Sequence, residues 1–315
     1  GLDVASSEAG RQRHARPEKN GARVIYDIRH VTTYTYRGEM TYALCALRLL
    51  PRDARGQKVA SAELVIDPQP ARYEERICFF GNRVVMATLA TAHRKLRVEA
   101  RARVSVARPA PPDAETTPPW EDLRDAAFAC DSLAPDSPAH MLHASKLAPI
   151  QTSVTAYARQ SFPAGRPTLA GAIDLMRRIR ADFAYDPKAT LVTTPLEEAF
   201  AARRGVCQDF AHVMIAGLRG LGLPAAYVSG YLRTIPPPGK KRLEGADASH
   251  AWVALWCGPD IGFIGLDPTN AILEGDDHIV LAIGRDYADV APIGGVLLGA
   301  GDQRIDVAVD VIPVG

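Results

Sequence analysis

One cysteine of this chain stands where it could act as a nucleophile. Cys207 follows Gly205 and opens an apolar stretch of helical periodicity, "CQDFAHVMIAGLRGL" (207–221). At the start of a helix, unpaired N–H groups and the helix dipole stabilise a thiolate, and they can bind the oxyanion of a tetrahedral intermediate. Free cysteines are more often inert residues of the core. The function of Cys207 therefore depends on whether the chain supplies a base.

His250 and Asp267 are the candidates for that base and for the group that orients it. They lie in the β-like runs "HAWVALW" (250–256) and "GFIGLDPTN" (262–270). A hairpin symmetric about Gly258–Pro259 places the two residues directly opposite each other, with Cβ atoms ~4.5–5.5 Å apart on one face. A carboxylate at that distance fixes the tautomer and the orientation of an imidazole. Together with Cys207 the pair is sufficient for acyl transfer through a thioester.

The residues around Cys207 have simpler interpretations. His212 is five positions along the helix, which turns it ~140° away from Cys207, so we predict a structural or surface residue. Asp209 lies in the first helical turn, where a carboxylate complements the helix dipole. A second oxyanion donor is needed beside the Cys207 N–H, and Tyr185 and Gln208 are both candidates.

Alternatives remain open for the residues of the hairpin. Trp252 is on the same strand face as His250. It either forms part of the wall of the site that binds the acyl group, or belongs to the core. His250 would otherwise be a histidine at the end of a strand, and Asp267 before Pro268 would otherwise begin a turn. Cys257, near the hairpin turn, is predicted to be incidental.

The N-terminal part of the chain is predicted to be a β domain. The run "VIYDIRHVTTYTY" (24–36) is rich in β-branched and aromatic residues, and two further strands are predicted over 62–70 and 84–90. The segment "LRVEARARVSV" (96–106) alternates strictly. Its alternate residues would share one buried face: Leu96, Val98, Ala100, Ala102, Val104 and Val106. Short strands joined by Gly, Pro and Asn turns favour an antiparallel, sandwich-like domain.

The proline-rich run "ARPAPPDAETTPPW" (107–120) is the candidate boundary. Helices are predicted beyond it over 121–130, 150–161, 168–185 and 195–204, the third of them with Thr168 as its N-cap. A strand (225–232) and a polar insert (233–249) follow. We therefore expect a disordered lead-in (1–22), a β domain (23–107), a linker with a helix (108–149) and a catalytic core with a C-terminal strand (150–315).

Three motifs resemble the core of the transglutaminase-like superfamily: "GVCQDFAHVMIAGLRGLGLPAAYVSGYL", "HAWVALW" and "GLDPTN". The segments "YDIRHVTTYTY", "LRLLPR", "FFGNR" and "DDHIVLAIGRDYADVAPIGG" resemble the bacterial branch that carries an N-terminal β domain. The resemblance implies an α+β, papain-like core in which the cysteine helix packs on an antiparallel sheet. It makes Cys207 the nucleophile, His250 the general base and acid, and Asp267 the orienting group. One departure is Gly262–Phe263, where the branch usually has Gly-Trp.

Composition limits the range of functions. The 315 residues have a net charge of +1, which does not favour nucleic acid or a membrane surface as a partner. Five widely spaced cysteines without a CxxC pair argue against a disulfide framework and a structural zinc site, and they favour a reducing compartment. With no secretory signal visible in 1–22 and no apolar run near ~18 residues, the expected location is the cytoplasm.

The expected function is a cysteine peptidase or amidase that acts on a protein or peptide and uses no cofactor or metal. The alternative is a transglutaminase that joins the acyl group to an amine, because the superfamily resemblance includes cross-linking transferases. A second alternative is a non-catalytic module whose N-terminal β domain recruits a partner.

Overall fold

The structure is a computed structural model that describes residues 23–234, 248–299 and 302–314. The predicted lead-in (1–22) and most of the predicted insert (233–249) lie outside these residues. Within the described ranges, no helix is both long enough and apolar enough to cross a membrane.

Helices and antiparallel strands are both abundant, which confirms the predicted α+β class. The helices are α1 (Trp120–Phe128), α2 (Thr152–Arg159), α3 (Thr168–Asp182), α4 (Leu196–Ala202), α5 (Cys207–Gly220) and α6 (Tyr287–Val290). The strands are β1 (Val24–Leu47), β2 (Gln57–Asp67), β3 (Arg72–Ile77), β4 (Arg83–Leu89), β5 (His93–Val106), β6 (Ala184–Tyr185), β7 (Arg204–Gly205), β8 (Ala225–Leu232), β9 (Ala248–Trp256), β10 (Phe263–Asp267), β11 (Ile272–Leu273), β12 (His278–Gly284), β13 (Ile293–Gly299) and β14 (Gln303–Val314).

The first sheet is built around the long strand β1. Strands β4 and β5 pair with successive parts of one edge of β1. Strand β3 pairs with the other edge of β4, and strand β2 pairs with the other edge of β5. Along the opposite edge run β13 and β14, both antiparallel to β1. The predicted alternation of β5 is confirmed, because every residue from Leu96 to Val106 on the predicted face is buried.

The C-terminal strand differs from its prediction. We expected it to belong to the catalytic core, but β13 and β14 pair with β1 and complete the first sheet. Their hydrogen-bonding partner is more than 240 residues away in the chain, and strand periodicity carries no information about such a partner.

The second sheet has the order β11–β10–β9–β8–β12 and is antiparallel. Helix α5 packs against it, and the predicted apolar stripe of α5, including Phe210, Val213, Met214 and Leu218, is buried. The sheet therefore brings the start of α5, where Cys207 stands, close to the strands that carry His250 and Asp267.

Two buried amide side chains join the first sheet to the second. Gln57 donates to the Val280 carbonyl (2.9 Å) and accepts from the Val280 N–H (2.9 Å). Asn82 makes the same pair of bonds to Ile283, at 2.8 and 2.9 Å. Since β12 is the last strand of its sheet, these amides occupy hydrogen-bonding groups that a further strand would otherwise use.

Thr168 is not the N-cap of α3, contrary to the prediction. Pro167 occupies the cap position, and Thr168 is the first helical residue. The Thr168 hydroxyl donates to the Pro118 carbonyl at 2.8 Å. The side chain therefore ties the helix to the proline-rich segment and does not bond to the helix's own N–H groups.

Candidate active site

The turn that presents Cys207 is fixed by a buried carboxylate. Asp209 accepts hydrogen bonds from the Val206 N–H (2.8 Å) and the Thr190 hydroxyl (2.6 Å). A Cβ atom added to Gly205 would lie 2.4 Å from the Asp209 carboxylate, so the turn requires glycine there. Asp209 thus holds the start of α5 in place, in addition to complementing the dipole. Cys207 itself is partly exposed.

His250 and Asp267 are in contact, as predicted. The Nε2 atom of His250 lies 2.8 Å from Oδ2 of Asp267. Cys207 lines the same cavity as His250 and, after Asp267, contributes to raising the pKa of the imidazole. The structure therefore brings together the three residues that the sequence singled out, with His250 bonded to Asp267 and adjacent to Cys207.

The predicted register of the hairpin is wrong by two residues. Leu266 pairs with Val253, so the position opposite Asp267 is Trp252 rather than His250. The cause is a longer turn, in which the Cys257 N–H donates to the Gly262 carbonyl. A shift of two residues keeps side chains on the same face, and His250 reaches Asp267 diagonally.

Asp267 is held by more groups than the sequence indicated. It is fully buried. Its Oδ2 atom also accepts from the Asn270 side chain (2.7 Å) and from Nε2 of His278 (3.3 Å), while Oδ1 accepts from the N–H groups of Thr269 and Asn270. The sequence analysis missed His278 and Asn270. A histidine opening the apolar run "HIVLAIG" (278–284) is the signal that could have identified the first of them.

These contacts shift the pKa values of His250 and Asp267 in opposite directions. Burial alone would lower the pKa of His250, but the hydrogen bonds with Asp267 and Cys207 outweigh burial and raise the pKa to about 10. For Asp267, burial would raise the pKa, and hydrogen bonds from His250 and His278 instead lower it. At neutral pH the pair is therefore an imidazolium beside a carboxylate.

Two imidazoles and a carboxylate in one cluster are also the residue types of a metal site. The candidate ligand atoms of His250, Asp267 and His278 lie within 4.8 Å of one another. However, the Gly275 N–H donates to Nδ1 of His278 (3.2 Å), which leaves the proton of that ring on Nε2, facing Asp267. A protonated nitrogen cannot bind a metal, so hydrogen bonding accounts for the cluster.

Gln208 and Tyr185, the candidates for the second oxyanion donor, occupy different positions. Gln208 lines a cavity together with Cys207 and His250, and its amide donates to the Val192 carbonyl at 3.1 Å. The Tyr185 side chain is 53% exposed, and its pKa is raised by burial and by the neighbouring Cys207. Of the two, Gln208 is the one among the described residues that line the cavity.

Trp252 is a residue of the core. It is fully buried, and its ring stacks against His250 with centroids 6.1 Å apart. The ring of His278 meets it edge-on at 5.1 Å. Trp252 therefore packs against the two imidazoles, and its burial favours the core over the wall of the acyl site.

His212 and Cys257 are buried structural residues. The His212 ring accepts from the Tyr287 N–H at 3.2 Å, and burial lowers its pKa to about 4. Burial raises the pKa of Cys257 to about 12, which makes it an inert thiol.

A helix-borne cysteine in contact with a strand-borne histidine and aspartate defines a papain-like class of α+β protein. Residues 26–105 match the model of the bacterial transglutaminase-like N-terminal region, and residues 155–268 match that of the transglutaminase-like superfamily. An uncharacterized protein of Mycobacterium tuberculosis is 39% identical over 295 residues, which cover 91% of this chain and 92% of that protein. The chain belongs to the transglutaminase-like superfamily, as its motifs indicated.

Two further similarities concern the fold and part of the core. The crystal structure of a candidate cysteine protease from Cytophaga hutchinsonii superposes with a TM-score of 0.74 at 20% identity, over 94% of this chain and 92% of that one. At that identity it shows a shared fold. A protein-glutamine gamma-glutamyltransferase of Pseudomonas aeruginosa is 35% identical over 126 residues, which are 38% of this chain and 19% of that protein.

Proposed function

We propose that this protein is a cysteine-dependent acyl-transfer enzyme that hydrolyses a peptide or carboxamide bond through a thioester. The observation that carries the proposal is the placement of Cys207 in one cavity with His250, whose ring is hydrogen-bonded to the buried Asp267. An imidazolium beside a thiolate is the resting state that cysteine nucleophiles require.

In the first step, Sγ of Cys207 attacks the carbonyl carbon of the substrate. The Cys207 N–H, one of the unpaired donors at the start of α5, stabilises the oxyanion, and the Gln208 amide is our candidate for the second donor. His250 then gives its proton to the leaving nitrogen as the C–N bond breaks. The products of this step are a free amine, a thioester and a neutral imidazole.

In the second step, the neutral His250 takes a proton from water, and the resulting hydroxide attacks the thioester. The C–S bond breaks, the carboxylic acid leaves, and the thiolate and imidazolium are restored. Asp267 keeps its charge throughout and stabilises the imidazolium. Water needs no binding site of its own, which favours hydrolysis.

Transglutamination is the second candidate, in which a primary amine takes the place of water. The similarity of 126 residues to a gamma-glutamyltransferase favours it. The two reactions share the thioester and differ only in the group that attacks it.

The test uses the protein with a peptide library and a labelled primary amine, and mass spectrometry reads the products. Hydrolysis gives clipped peptides or deamidated side chains, whereas transglutamination gives amine adducts. Cys207→Ala should abolish every product, and Cys130→Ala, which changes another partly exposed cysteine, should abolish none. Products that survive in Cys207→Ala, or none from several libraries with the unchanged protein, would refute the proposal.

A further inference from the structure

Two strands from opposite ends of the chain form one wall of the cavity that contains Cys207. In β1 and β14, Thr32 pairs with Val307 and Tyr34 pairs with Ile305. All four residues line the same cavity of about 400 Å³ as Cys207 and His250. We call these four residues the sheet wall. The first sheet is thus part of the candidate active site.

Apart from the reacting residues Cys207 and His250, the described lining residues of the cavity include no aspartate, glutamate, lysine or arginine. Its polar members are hydroxyls, the Gln208 amide, the Cys207 thiol and imidazoles. His30, which lines the cavity beside Thr32, is neutral at pH 7 because burial lowers its pKa to about 4. Its ring nitrogens are already bonded to Tyr231 (2.9 Å) and Thr32 (2.8 Å). A charged ligand group entering the cavity beside the sheet wall would lose hydration there without gaining an ionic partner from these residues.

The opposite face of the same sheet has a different character. Ile312 of β14 lies there among Asp27, Arg29, Arg101 and Arg103. Since successive residues of a strand point to opposite faces, β14 is apolar toward Cys207 and surrounded by charges on its other side. The apolar character of the sheet wall is therefore specific to the face that meets the cavity.

The apolar members of the sheet wall are unusually accessible. Ile305 is 50% exposed and Val307 is 54% exposed, although both are β-branched aliphatic residues. Exposed apolar side chains gathered in a concave site beside reactive groups are typical of ligand-binding surfaces.

We propose that the sheet wall is the specificity subsite of the enzyme. It binds an uncharged, apolar side chain of a peptide, such as that of leucine, valine or phenylalanine, in a residue flanking the bond that Cys207 attacks. This inference rests on the proposed function. The preference is set by burial of the apolar side chain against Ile305 and Val307, and by the desolvation of charged side chains at a sheet wall that offers them no counter-charge.

The test compares Val307→Asp with the matched variant Ile312→Asp, which places the same charge on the same strand but on the opposite face. Both positions are accessible, at 54% and 43% exposure, so neither change disturbs a packed core. The substrates are peptide pools that carry leucine, glutamate or lysine on each side of the cleaved bond, and the readout is kcat/KM for each pool.

The unchanged protein should prefer leucine to glutamate and lysine by about tenfold or more. Val307→Asp should lower cleavage of the leucine pool by about tenfold and raise the ratio of lysine to leucine, while Ile312→Asp keeps the original profile. Alkylation of Cys207 by iodoacetamide should stay unchanged in Ile312→Asp, whose side chain lies on the other face of the sheet. Cysteine-dependent cleavage without a leucine preference, or equal profiles for the two variants, overturns the subsite alone. Absence of cleavage from every pool overturns the proposed function, and the subsite with it.

Discussion

Replacing Asp267 with asparagine should uncouple His250 from Cys207 while changing little in volume. In the structure, Oδ2 of Asp267 accepts from both His250 and His278. The asparagine side chain has only one oxygen that can accept, and its NH2 group would face neighbours that are themselves donors, such as the imidazole N–H groups. The negative charge that stabilises the imidazolium is lost as well.

The size of the effect follows from other histidines of the same protein. His30 and His212 are buried without a hydrogen-bonded carboxylate, and burial lowers the pKa of each to about 4. In Asp267→Asn, the pKa of His250 should fall from about 10 toward that range. At pH 7 the protonated fraction would then drop by up to about a thousandfold, which corresponds to about 4 kcal/mol. We expect a loss of about a hundredfold or more in any reaction that needs the thiolate–imidazolium pair.

The assay is alkylation by iodoacetamide between pH 5 and 10, read by mass spectrometry of the peptide that contains Cys207. The unchanged protein should react at a similar rate from pH 7 to pH 9, because His250 keeps its proton until about pH 10. Asp267→Asn should react about a hundredfold more slowly at pH 7, because the imidazolium beside Cys207 is lost.

The matched control for this experiment is Asp277→Asn. Asp277 accepts from Tyr26 and Arg233 instead of from an imidazole, so its loss should leave the alkylation profile unchanged. If folded Asp267→Asn retains the rate of the unchanged protein at pH 7, the proposed dependence of Cys207 on the His250–Asp267 pair is wrong.

Two further changes test the supports of the site. His278→Leu removes one donor to the buried Asp267 and should lower kcat/KM about tenfold or more, with an altered pH profile of Cys207 alkylation. His278→Gln can still donate a hydrogen bond to Asp267 and should restore most of the activity. Equal losses of activity in the two variants would contradict a positioning function for His278. Gln57→Ala leaves the N–H and carbonyl of Val280 unpaired and should lower the free energy of unfolding by about 2–4 kcal/mol in urea denaturation. The exposed neighbour change Lys58→Ala should lower it by less than about 0.5 kcal/mol, and similar values for the two variants would refute the proposed junction.

Features that depend on local periodicity could be predicted from the sequence. The buried face of β5 and the start of α5 at Cys207 follow from alternation and from helix-start signals within about 15 residues. The pairing of His250 with Asp267 required only that the two strands form a hairpin. Its register could not be predicted, because the turn runs through two glycines of positive φ, Gly258 at 106° and Gly262 at 75°.

Features that depend on distant parts of the chain could not be predicted in the same way. No periodicity relates Val307 to Thr32, and their pairing appears only when β14 lies along β1. His278 is 11 residues beyond Asp267 in the chain, and it lies in β12, an edge strand of the second sheet that is separated from β10 by β9 and β8. The motifs identified the residues that would react, whereas the groups that hold and surround them come from long-range topology.

The two halves of the molecule meet at the strand that supports the reacting groups. Strand β12 begins with His278, which bonds to Asp267, and Val280 of the same strand bonds to Gln57 of the first sheet. The position of the first sheet is therefore coupled to the aspartate of the site through a few residues of one strand. That sheet also supplies the sheet wall opposite Cys207. A change that loosens the junction should thus affect both the orientation of His250 and the shape of the cavity, and for this reason we regard the first sheet as a component of the candidate active site.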